Sequence, residues 1–157
     1  MTTIEHHADV DHVHGMLYIG SHPFPQTLRR GSPFHPNIDV LVACARERNV
    51  EADQHTDVVV RHFSIMDNGP PAEHEYWRAV EAAQFVHEQL TAGKNVLVTC
   101  LAGINRSAWV CGWALRHQGL DAKEAIKLLR RARGNHLLSN EFFEALVLSD
   151  KHPMAKP

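Results

Sequence analysis

The stretch Cys100-Leu101-Ala102-Gly103-Ile104-Asn105-Arg106-Ser107 combines residue types at a spacing that could do chemistry. A cysteine thiolate is a strong nucleophile, and an arginine guanidinium offers a planar fork that can hold two oxygens of one phosphate. The Ser107 hydroxyl follows directly and can reach the cysteine sulfur, while Gly103 lets the backbone bend where a side chain would obstruct it. Asn95–Thr99 before the loop reads as a strand, and a helix is expected from Arg106 onward. In such a strand, loop and helix the N–H groups of Leu101, Ala102, Gly103, Ile104 and Asn105 can turn inward. The helix adds its unpaired N–H groups and the positive end of its dipole, so phosphate is a natural guest. The same dipoles favour thiolate over thiol at Cys100, which makes it a candidate nucleophile at neutral pH.

A loop of this kind has to be positioned by a sheet. Leu17-Tyr18-Ile19, Ile38–Cys44 and Val58–Phe63 also read as strands, and the last two are apolar and β-branched enough to be expected as buried strands. After the turn Asp67-Asn68-Gly69-Pro70-Pro71, apolar residues at Tyr76, Val80, Ala83, Val86 and Leu90 step by three or four. That spacing predicts a helix over about residues 72–92, closed by Gly93. The helix after Arg106 carries Val110, Trp113, Ala114 and His117 on one side and stops at Gly119. Asp121 and Glu124 form a capping-box pattern before Ala125, Ile126 and Leu129, and Ser139 is placed to cap a last helix bearing Phe142, Phe143, Leu146 and Val147. Strands alternating with helices predict an α/β fold, a central, largely parallel sheet flanked by helices. Ligands of such sheets bind beyond the carboxyl ends of the strands, where the Cys100 loop lies.

Residues 1–14 are polar without a period and read as a flexible N-terminal arm, with order expected to begin near Met16. His22–Pro36 holds four prolines and Gly31 and reads as a surface connection. One domain over residues 15–150, with a C-terminal tail at 151–157, suits a chain of 157 residues. No apolar run approaches the roughly 18 residues a membrane span needs, so no membrane insertion is expected. The N-terminus lacks the basic start and apolar stretch of a secretory signal, which points to the cytoplasm. Three cysteines, Cys44, Cys100 and Cys111, cannot build a disulfide framework and suit a reducing compartment. A net charge of −2 gives no reason to expect nucleic acid as the partner.

Cys-(x)5-Arg-Ser with Gly103 inside resembles the signature loop of the dual-specificity phosphatases, within the cysteine-dependent protein tyrosine phosphatase superfamily. Leu17-Tyr18-Ile19-Gly20-Ser21 is similar to the family's opening strand, and Asp67 stands in the place of its general acid. Gly119-Leu120 through Glu124-Ala125 resembles its following helix, and Ser139-Asn140 before Phe142 resembles its Pro-Asn pair with the proline replaced. The similarity covers about residues 14–148. It implies a catalytic domain over residues 15–150 that hydrolyses phosphomonoesters of phosphorylated proteins or peptides. Cys100 would attack phosphorus to form a phosphocysteine, Asp67 would protonate the leaving oxygen, and water would then release phosphate. In the second step Asp67 would act as base and Ser107 would help the sulfur leave, with Arg106 and the amides of residues 101–105 holding the phosphoryl oxygens. No metal or other cofactor is required. Thr99 departs from the family pattern, which has histidine before the nucleophile, and implies a less well supported thiolate.

Plainer readings stand beside these. Asp67 lies in a sequence that also makes an ordinary turn, and Asp57 is the alternative acid. Cys44 is either a core residue or, as in the lipid-phosphatase branch of the superfamily, a partner able to trap the nucleophile as a disulfide. Cys111, Trp109 and Trp113 read as core. His6, His7, His12 and His14 are more naturally solvated than metal-bound. Lys123, Lys127, Arg130, Arg131 and Arg133 make a solvated helix face, unless Arg130 or Arg133 reaches the pocket to hold a second acidic group. Three other functions share the loop chemistry: phosphate binding without turnover, hydrolysis of phosphoinositides or RNA 5′-phosphates, and sulfur transfer.

Overall fold

The computed structural model describes residues 10–21, 37–45 and 58–149. Five strands form one sheet: β1 (Val10–His14), β2 (Leu17–Gly20), β3 (Val40–Ala45), β4 (Val59–Ile65) and β5 (Val96–Thr99). They lie in the order β1-β2-β5-β3-β4, with every neighbouring pair parallel except the antiparallel β1–β2 hairpin. The described helices are α1 (Glu73–Thr91), α2 (Arg106–His117), α3 (Ala122–Arg133) and α4 (Glu141–Leu148). The α/β reading therefore holds, a largely parallel sheet flanked by helices.

The strand feeding the Cys100 loop, β5, is central in the sheet and buried along its whole length. Alternation along the strands sends Leu17, Ile19, Val40, Val42, Val96 and Val98 into the main core with the helices. Leu41 and Leu97 instead join Ile38 and Val58 in a smaller cluster. The first ten residues of α2, Arg106–Leu115, are all buried, because α2 packs on α1, α3, α4 and three strands. Trp109 stacks on Phe143 with ring centroids 4.5 Å apart, and Trp113 meets both Trp109 and Tyr76 edge-on. Both tryptophans are core, as is Cys111.

Three expectations need correction. Residues 10–14, read as part of a loose arm, form the edge strand β1, whose pairing with β2 shifts register between His12 and His14. An edge strand can be polar because one side faces solvent, so its sequence lacks the apolar signal of a central strand. For the same reason β4 is not a buried strand: it lies at the opposite edge, and Val59 is 60% exposed. The cap of α4 is Asn140 rather than Ser139, with Asn140 Oδ1 accepting from the N–H groups of Phe142 and Phe143. Asp121 does cap α3, accepting from Glu124 N at 2.8 Å, and Gly93 follows α1 with φ of +80°.

Candidate active site

The Cys100 loop is built largely by backbone contacts. The register of β5 beside β2 pairs Thr99 with Gly20, and Cys100 N then reaches Gly20 O at 3.4 Å. Gly103 sits with φ of +70°, and a Cβ there would stand 2.6 Å from the carbonyl carbon and oxygen of Gly20. Glycine is thus required twice, for the left-handed backbone and for the close approach of two chain segments. The resulting bend aims Gly103 N at Cys100 Sγ, 3.2 Å away, and Ser107 Oγ lies at the same distance from the sulfur. Cys100, Arg106 and Ser107 are at most 5% exposed, so the sulfur and its partners are enclosed where dipoles act strongly. Arg106 Nη1 donates to Ile65 O at the end of β4, tying the α2 start to the strand that leads to Asp67.

A second segment braces the loop from outside. Leu138 N donates to Ile104 O at 2.9 Å, and Leu138 adopts φ of +63°, an unfavourable conformation for a branched side chain. Arg133 Nη2 donates to Ala102 O at 3.1 Å while Nη1 pairs with Asp11 of β1 at 2.8 Å. Arg130 pairs with Glu144 and donates to Leu137 O. Both arginines are thus engaged within the chain, and Arg133 touches the loop backbone. Neither forms a free basic rim.

The segment from Met66 to Ala72 brings Asp67 to the loop. Asp67 Oδ2 accepts from Asn105 Nδ2 at 3.1 Å, and Oδ1 accepts from Asn140 Nδ2 at 3.0 Å. Beneath it Glu75, 5% exposed, spans the base of the segment: Oε2 accepts from Met66 N at 2.7 Å and Oε1 from Ala72 N at 3.4 Å. The second contact is half of a capping box at the start of α1, with Ala72 in the cap position where a hydroxyl would complete it. An open cleft of about 500 Å³ beside Asp67 is lined by Gly69, Asn105, Ser139, Asn140, Glu141 and Phe142.

The structure therefore brings together Cys100, Arg106, Ser107, Gly103 and Asp67, all singled out from sequence. Asp57, the alternative acid, and His6 and His7 lie outside the described residues. His12 is occupied by Gly15 O at 2.7 Å, and among the described residues no group of three or more His, Cys, Asp or Glu could hold a metal ion. Cys44 is fully buried one position beyond the Ala43–Thr99 pair, which sets it beside Cys100 across the sheet. Burial, then the neighbouring Cys100, pushes the Cys44 thiol well above its ordinary range, and burial does the same to Cys111. Sequence reasoning missed the side chains of Glu75, Asn105 and Asn140 around Asp67. The available signals were a glutamate at the third position of α1 and an asparagine at the start of α4.

Comparison with known proteins agrees with this geometry. The family described as "Dual specificity phosphatase, catalytic domain" matches residues 28–151. A search of curated proteins finds no match. Among solved structures, Tk-PTP in its active form is similar over 89% of this chain and 93% of its own, at 22% identity and a TM-score of 0.71. Human DUSP28 is similar over 89% and 95% of the two chains, at 21% identity and a TM-score of 0.64. OH1 from the Orf virus, described as a tyrosine phosphatase with triple substrate specificity, is similar over 90% and 86%, at 17% identity and a TM-score of 0.67. With the family matched over most of its length, this chain belongs to the dual specificity phosphatase catalytic domain family.

Proposed function

We propose that this protein hydrolyses phosphomonoesters of phosphorylated proteins or peptides, phosphotyrosine with phosphoserine or phosphothreonine, through a phosphocysteine on Cys100. The observation that carries the reading is the sulfur's setting: Cys100 Sγ takes the Gly103 N–H and faces Ser107 Oγ, each at 3.2 Å, at the start of a buried helix. In the first step the thiolate attacks phosphorus, an S–P bond forms, the P–O bond to the substrate breaks, and Asp67 gives its proton to the departing oxygen. In the second, Asp67 takes a proton from water, the hydroxide oxygen bonds to phosphorus, and sulfur leaves as thiolate supported by Ser107. Arg106 and the N–H groups of Leu101, Ala102, Gly103, Ile104 and Asn105 hold the phosphoryl oxygens through both transition states. The reaction so written needs no metal or cofactor.

A protein or peptide substrate is favoured over phosphoinositide or RNA by the surroundings. Arg130 and Arg133 are committed to Glu144 and Asp11, while Leu101 and Phe142, 43% and 48% exposed, offer apolar contact. A cytoplasmic setting suits the three free cysteines. No helix among the described residues is long and apolar enough to cross a membrane.

One observation favours a second reading, binding without turnover: Thr99, 1% exposed, stands where the family has histidine. The test is hydrolysis of an aryl phosphate across pH, with a chelator present, by the native protein and by Cys100→Ser. Activity that survives chelation and falls at least about a thousandfold in the serine variant is expected. Absence of turnover at every pH, with phosphopeptide still bound, would put the binding module first.

A further inference from the structure

We propose that the side-chain amides of Asn105 and Asn140 are positioning groups for the proton-transferring carboxyl of Asp67. The inference rests on the role given to Asp67 above. Each asparagine spends its carbonyl on the scaffold and its NH2 on Asp67. Asn105 Oδ1 accepts from Asn140 N at 2.8 Å and from Ser139 Oγ at 3.4 Å, which leaves Nδ2 to donate to Asp67 Oδ2. Ser139 Oγ lies a further 3.3 Å from the same Nδ2. Asn140 Oδ1 accepts from Phe142 N and Phe143 N as the cap of α4, which leaves its Nδ2 for Asp67 Oδ1. Turning either amide over would set an NH2 against backbone N–H groups and an oxygen against a carboxyl oxygen. The two orientations are therefore fixed by the scaffold before any substrate arrives.

The consequence is directional. Asp67 is held by both oxygens, one from the residue adjoining Arg106 and one from the start of α4, so the acid moves with the phosphate loop rather than independently of it. Each carboxyl oxygen receives one N–H and keeps a second lone pair, free to carry the proton in the first step or to accept one from water in the second. Neither amide touches the sulfur, so its loss should tell on proton delivery more than on nucleophilic attack. A carboxyl displaced by about 1 Å can cost on the order of 100-fold when the leaving oxygen needs its proton. An electron-poor phenolate leaves without that help.

The experiment measures kcat/KM over a series of phosphate esters, from 4-nitrophenyl phosphate through phenyl phosphate to an alkyl phosphate. Native protein, Asn105→Ala and Asn140→Ser are compared, each also with Asp67→Asn. Serine at 140 keeps an oxygen to cap α4 but lacks the amide NH2 that reaches Asp67, which keeps the test available if Asn105→Ala does not fold. We expect losses of about 10- to 100-fold on the alkyl ester in both variants, shrinking in Asn140→Ser to within about threefold on the nitrophenyl ester, and no further loss in the Asp67→Asn background. Equal losses on every ester, or losses that persist without the Asp67 carboxyl, would overturn the positioning role and leave the proposed activity standing. A native protein inactive on the whole series would overturn both.

Discussion

The two loops that meet at the candidate site are held by different means. The Cys100 loop is set by backbone: a central strand, the approach of Gly103 to Gly20, and the Leu138–Ile104 hydrogen bond. The segment carrying Asp67 is set by side chains, with Glu75 at its base and Asn105 and Asn140 at its tip. A backbone-built loop fails when the chain can no longer take its path, so few positions matter and each matters greatly. A segment hung from side chains can lose one anchor and keep the others. Its failures should be partial and confined to the proton transfers proposed for Asp67.

The largest expected effect breaks the first loop. Gly103→Ala meets an intrinsic cost of about 1–2 kcal/mol for the left-handed backbone and places a Cβ into Gly20. The loop must shift, and activity on good and poor leaving groups alike should fall at least about 100-fold. Kinetics on 4-nitrophenyl phosphate check this, and retention of more than a tenth of native activity would show the loop to be more pliant than its contacts suggest.

Glu75→Ala probes the other loop. It strips the Met66 N–H of its acceptor at an expected cost of about 1–3 kcal/mol in urea unfolding. Because the two asparagines still hold Asp67, the phosphate loop should keep its contacts, and the nitrophenyl ester should suffer much less than an alkyl ester. An equal collapse on both esters would mean that the two loops stand or fall as one.

The smallest effect concerns the floor of the backbone-built loop. Cys44 and Cys111 keep their protons in the folded protein because burial raises both thiols above the ordinary value of 9.0. The unfolded chain releases those protons from about pH 9 upward, so the folded state binds more protons there and stability falls as pH rises through that range. Below it the two states hold the same thiol protons and the contribution is constant. Cys44→Ala should flatten the alkaline limb relative to native protein, measured as urea midpoints from pH 7 to 10. Iodoacetamide at pH 8 should leave Cys44 and Cys111 unlabelled until the chain is unfolded.

The contrast also explains what could be read in advance. Cys100 to Ser107 is contiguous, and its flanking strand and helix have clear periods, so the loop and its place in an α/β fold were legible. Residues that anchor Asp67 come from three separate elements, with hydrogen-bonded pairs 9, 38 and 73 positions apart along the chain. No local pattern marks an asparagine as an anchor before the fold brings its partner near. In the sequence Asn140 stands out only as part of a short motif, and it is Ser139 beside it that reads as the cap of α4, a place the structure gives to Asn140. Strand β1 escaped notice because Asp11, His12 and His14 are polar, which an edge position permits and a central one would not.

That edge strand bears on where the protein can be cut. Residue 15 looks like a natural starting point for a trimmed version, yet such a version would discard β1 and uncover the hydrogen-bonding groups of β2. A bare edge of this kind is a template for other chains, so a trimmed protein should self-associate. It would also remove Asp11 from Arg133, whose side chain is only 6% exposed and touches the loop at Ala102. A shortened protein would then lose both solubility and the shape of a loop distant in sequence, and the fault could be mistaken for an inactive enzyme.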